Sequence, residues 1–110
     1  MTDLIEKLKQ ADGARVHHDL HCWPTYFEAV KAGLKPYEVR RNDRFFQCGD
    51  TVTLHCLKKD AHFHEYTNYR TGEKLTFEIG PILQGGQFGI EPGYCVFALL
   101  EALSAKENAQ

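Results

Sequence analysis

A mainly β domain with one short internal helix, compact and closed or nearly closed, is predicted by three observations. Apolar and polar residues alternate with period two along several short segments. Between them, Pro24 to Ala32 has a proline to start it, helical apolar spacing and a following glycine to stop it. The chain has 110 residues, enough for one modest core and too few for two. Short strands with a single helix between them favour a sheet that curls on itself over layered α/β architecture.

The elements follow in order. Thr2 can cap an amphipathic helix carrying Leu4, Ile5 and Leu8, with Asp3 and Glu6 in its first turn and Gly13 at its end. Residues 1–14 therefore read as an N-terminal helical extension. Val16 to Cys22 is the first strand, with His18, Leu20 and Cys22 alternating against His17, Asp19 and His21. Pro24 opens the helix, Tyr26, Phe27 and Val30 form its apolar side, and Gly33 suits a left-handed terminator.

Pro36 then excludes helix, and Tyr37-Glu38-Val39-Arg40 alternates as a half-buried strand. Its apolar pair, Tyr37 and Val39, is expected to face the core. Glu38 and Arg40 would then stand side by side on the opposite face, at a surface or cleft. Cys48-Gly49-Asp50 marks a turn before a strand from Thr51 to Leu57. Lys58 to Arg70 reads as a polar, aromatic connector, whose Glu65 to Tyr69 portion could pair with the strand on either side. Thr71-Gly72-Glu73 reads as a turn, Lys74 to Leu83 as a strand with Leu75, Phe77 and Ile79 on one face, and Tyr94 to Glu101 as the closing strand. Residues 15–103 form the domain and 104–110 a flexible polar tail.

Composition narrows the function classes. A formal charge of −2 argues against a strong non-specific nucleic-acid binder. Cys22, Cys48, Cys56 and Cys95 form no C-x-x-C pair, and the N-terminus carries no signal-peptide pattern. They read as reduced thiols of a cytoplasmic protein. No apolar run reaches the ~20 residues of a membrane-spanning helix.

Against this acidic background, Gly33 to Arg44 stands out. Lys35, Arg40, Arg41 and Arg44 outnumber Glu38 and Asp43 there by two. A guanidinium fork beside an acceptor-only carboxylate suits a planar polar ligand, although an isolated surface ion pair would look the same.

Gly33-Leu34-Lys35-Pro36-Tyr37-Glu38-Val39-Arg40 resembles the G-x-K-x-x-E-x-R signature of ASCH domains, a branch of the PUA-like superfamily. His18-Asp19-Leu20, Trp23-Pro24, Phe27, Arg40 to Asp43, Phe46-Gln47, Gly49-Asp50 and Gly85 to Gly89 extend the likeness in order. The series is similar to a small ASCH-related family of bacteria and phage and covers about His18 to Leu100. The resemblance implies a PUA-like β-barrel with the helix over one opening and the motif lining a cleft between them. It also implies binding of RNA or a modified nucleoside through Lys35, Glu38, Arg40 and Arg41. One related branch deacylates a modified cytidine with a lysine, a threonine and a glutamate. Lys35 matches that lysine, but Glu38 stands where the threonine nucleophile would be, so the same covalent route is closed.

Other candidates are weighed by their chemistry. His17 and His21 share a strand face but lie about 13 Å apart, too far to share a metal, and His62 with His64 would make only a two-ligand site. No metal or cofactor is expected. The strand of His18 runs close to the motif in PUA-like barrels, which makes His18 a cleft candidate. Trp23 and Phe46 could stack on bases or pack internally; Tyr37 is assigned to the core. The loop Gly85 to Gly93 lacks G-K-[ST] and leads into a strand, so it is either a structural turn or a cleft lip where Gln87 reaches a base edge. Taken together, these features predict an RNA- or nucleoside-binding module. The alternatives are an amidohydrolase using Lys35 and Glu38 as an acid–base pair, and a phage or mobile-element accessory protein that binds another protein.

Overall fold

The computed structural model describes residues 15–59 and 66–101. The N-terminal extension, His62, His64 and the tail lie outside them. The described chain is mostly β with one short helix: β1 (His17–Cys22), α1 (Pro24–Lys31), β2 (Tyr37–Arg41), β3 (Thr51–Lys59), β4 (Tyr66–Gln84) and β5 (Tyr94–Glu101). They form one five-stranded mixed sheet in the order β1-β3-β4-β5-β2, with β1 parallel to β3 and every other pair antiparallel. The sheet curls into a half-barrel.

β1 buries His18, Leu20 and Cys22 and exposes His17, Asp19 and His21, as its alternation predicts. Packed against it are Val52 and Leu54 of β3, Ile79 of β4 and Phe97 of β5, all fully buried. α1 adds Phe27 and Val30 to this core. Pro24 sits in its first turn, and its end is a Schellman cap: Leu34 N–H reaches Ala29 O at 2.9 Å, and Gly33 N–H reaches Val30 O at 3.0 Å. Gly33 takes φ +78°, which a side chain would resist. The cap turns the chain directly into Lys35.

Two expectations are corrected. β2 is the other way over: Glu38 is only 3% exposed, whereas Tyr37 and Val39 are 45% and 52% exposed. Glu38 lies opposite Phe97 and Arg40 opposite Cys95, both on the inner face of β5. A buried carboxylate is tolerated only when paired and hydrogen-bonded, and Lys35 and Arg40 supply both. Thr71-Gly72-Glu73, in turn, makes no reversal. β4 runs through it unbroken, and Gly72, at φ +98°, sits in a bulge. Leu57 pairs with Arg70 while His55 pairs with Lys74, so β4 spends two more residues than β3 over the same span. The portion from Tyr66 onward, read as connector, thus belongs to β4 and pairs with β3.

β1 and β2 are the two edges of the curl, and no ladder joins them. Side chains cross the gap instead. Arg40 Nη2 donates to His21 O and Arg44 Nη1 to Asp19 O, each at 2.8 Å.

Candidate functional site

Glu38 is the centre of the site. Lys35 Nζ donates to its Oε1 at 2.9 Å, and Arg40 Nε donates to its Oε2 at 2.8 Å. Both cations are partly buried, and both are held a second time. Lys35 Nζ also donates to Tyr37 O at 2.8 Å, and Arg40 spans to β1. The ammonium lies 5.1 Å from the Tyr37 ring centre and 5.6 Å from that of Tyr26, within cation–π range of both. An acid between two cations leaves one net positive charge at the floor.

Over this floor opens a cleft of about 570 Å³. One wall is β2, another the start of α1, where Trp23 and Tyr26 stack with centres 6.0 Å apart and planes 17° apart. Each is half exposed. His21 and Cys22 from the end of β1 complete the rim. Burial, and then the negative charge of Glu38, pushes the Cys22 thiol up to about 11. It is protonated at neutral pH and no nucleophile.

Of the predicted residues, Lys35, Glu38, Arg40 and Trp23 meet in the cleft. His18 does not. It is buried, with Nε2 3.0 Å from Asp50 Oδ2 and its ring against Phe46 at 4.7 Å, a structural contact on the inner face. Asp50, 1% exposed, also accepts from the backbone N–H groups of Gln47 and Val16, which ties the turn before β3 to the start of β1. Arg41 points to the outer face, over Tyr94 at 5.9 Å. Gln87 donates to Gln84 O at 2.9 Å, in a loop beyond the Arg41 end of β2, and does not line the cleft. Phe46 is core.

Sequence reasoning missed Tyr26, Cys22 and His21 as lining residues. Tyr26, four residues before Val30 and so expected on the apolar side of α1, is instead half exposed, since the helix buries only Phe27 and Val30. Among the described residues, no three His, Cys, Asp or Glu side chains are grouped to hold a metal. No described helix is long and apolar enough to cross a membrane.

Comparison with curated proteins gives no match. A family model, DUF3850, a domain of unknown function, matches residues 17–99. That span runs from the first residue of β1 into β5 and takes in α1, the cleft and every strand between. The chain belongs to the DUF3850 family.

Proposed function

We propose that the cleft recognises RNA or a modified nucleoside. The observation that carries this reading is the buried Glu38 carboxylate, fixed between Lys35 and Arg40 beneath the exposed Trp23–Tyr26 stack. A base sliding against the Trp23 or Tyr26 ring would gain stacking of about 1–3 kcal/mol. Arg40 and Lys35 would donate to its acceptors. Glu38 uses one lone-pair site on each oxygen for its cations and keeps capacity to accept from an exocyclic amine. The G-x-K-x-x-E-x-R signature shared with ASCH domains supports the same ligand class. A reducing, cytoplasmic setting fits this reading, since Cys22, Cys56 and Cys95 are buried free thiols.

The amidohydrolase alternative asks more of the same residues. Residue 38 carries no hydroxyl, and Lys35 Nζ is engaged by Glu38 Oε1 and Tyr37 O. Binding without rapid turnover is the expected behaviour. Trp23 is the single tryptophan of the chain and stands in the cleft, so its emission reports occupancy. Titration with short RNAs and modified nucleosides should change that emission saturably. Arg40→Ala should weaken binding by about 1.5–3 kcal/mol, the worth of a charge-assisted hydrogen bond. Trp23→Ala, at an exposed position, should weaken it by about 1–3 kcal/mol as read by calorimetry. Fast hydrolysis of an acylated cytidine, abolished by Lys35→Ala, would replace this reading with the enzyme.

A further inference from the structure

Beside the cleft, around the end of β1, lies a second concentration of positive charge. Arg70 of β4 donates Nε–H to His21 Nε2 at 3.4 Å, and its charge also acts on Asp19. Arg40 and Arg44 reach the same strand through the carbonyls of His21 and Asp19. Burial, then the charges of Arg70, His55, Arg40 and Arg44, hold the imidazole of His21 below its usual value, so at neutral pH it is an acceptor for Arg70. On β1, Asp19 accepts from His55 at 2.8 Å, and His17 is engaged by Thr51 and Thr53. Lys74 of β4 lies opposite His55 in the ladder, and Asp43 stands 3.9 Å from Arg44. The carboxylates of this rim are thus already shared, while Arg70, Arg44 and Arg40, the last also paired with Glu38, all act on His21. Like charges so placed repel one another until an anion arrives, and guanidinium forks match phosphate oxygens.

We propose that this rim is a phosphate subsite in which Arg70, Arg44 and His21 hold the phosphoester of a ligand whose base occupies the cleft. It deepens the reading above and rests on it for the base. It narrows the ligand to a nucleotide or RNA strand, because His21 belongs to both the rim and the cleft wall. A phosphate here would also convert His21 from acceptor to charged donor, drawing in a proton.

The test uses methyl phosphate, a phosphoester with no base, on the full chain. Its binding is followed by NMR of the His21 ring, alongside a separate nucleoside titration read by Trp23 emission. Methyl phosphate should shift the His21 resonances saturably and raise the pH at which His21 titrates. Arg70→Gln should weaken this by roughly 10–100-fold, the range for a charge-assisted hydrogen bond. Arg15→Gln, which removes an arginine that pairs with Glu78 away from the rim, should leave it intact. Absence of a saturable shift, or equal losses in both variants, would overturn the subsite and reduce the rim to diffuse charge. Nucleoside binding that survives such a result would leave the proposed function standing. Methyl phosphate binding with no nucleoside or RNA response would sink that function and the link between rim and cleft.

Discussion

Glu38 bears the tightest constraint of any residue in the cleft. Its side chain is 4% exposed, against 17% for Lys35 and 25% for Arg40, so all three charges sit where water screens them poorly. Removing one partner of such a set strands the others. Glu38→Ala should therefore cost about 3–5 kcal/mol in urea denaturation, and an unchanged midpoint would show that solvent already reaches the group. Protonation of β1 gives a second test. His21 is held below its ordinary value of 6.5, so between its folded value and 6.5 the unfolded chain binds more protons, and stability rises with pH up to about 6.5. Asp19 is held below 3.8, chiefly by the His55 hydrogen bond; its contribution is present above that value and is lost as pH falls through the folded one. Denaturant midpoints from pH 3 to 8 should thus rise in two steps, and His21→Gln should remove only the upper one. How these residues pair could not be read from the sequence. His18 and Asp50 are 32 positions apart, and His21 and Arg70 are 49 apart; no local pattern announces such partners.

The elements were easier to read. Pro24 and Gly33 bracket α1 through local chemistry alone, and the alternation of β1 and β5 needs only their own residues, whereas β3 buries Thr53 and Leu57 as well as its expected face. β2 shows the limit of that logic. Alternation separates Glu38 and Arg40 from Tyr37 and Val39 but does not say which pair faces inward. That is settled by Lys35, delivered from the helix cap, and by the register with β5, neither of which belongs to the strand. Val39→Thr tests the inversion. At a half-exposed position it should shift stability by no more than about 0.5 kcal/mol, whereas a core valine would cost clearly more. β4 was misread for a related reason: a glycine requiring positive φ serves a turn and a bulge equally well. The loop after β4 holds a glycine of another kind. A Cβ at Gly85 would run into the carbonyl oxygens of Glu91 and Tyr94, while one at Gly72 meets open space. Gly85→Ala should lower the melting temperature well beyond Gly72→Ala, whose cost is conformational and about 1–2 kcal/mol.

At the scale of the molecule, the expected curled β-structure with a helix over one opening is present, and the cleft lies between helix and sheet. Closure was not legible, because it depends on two arginines reaching across a gap instead of on strand pairing. Those arginines have a consequence for how copies of the chain meet. An unpaired strand edge is a template on which a neighbouring chain can add a strand, and successive additions lead to fibres. On β1 the outward carbonyls of Asp19 and His21 are already occupied by charged donors, which an incoming strand would have to displace. Arg44→Gln should leave the fold intact yet shorten the lag before thioflavin-positive aggregates form in mild denaturant, while Arg15→Gln keeps the wild-type lag. Arg40, which also lines the cleft, and Arg44 beside it would thus guard the open edge of the half-barrel against strand addition.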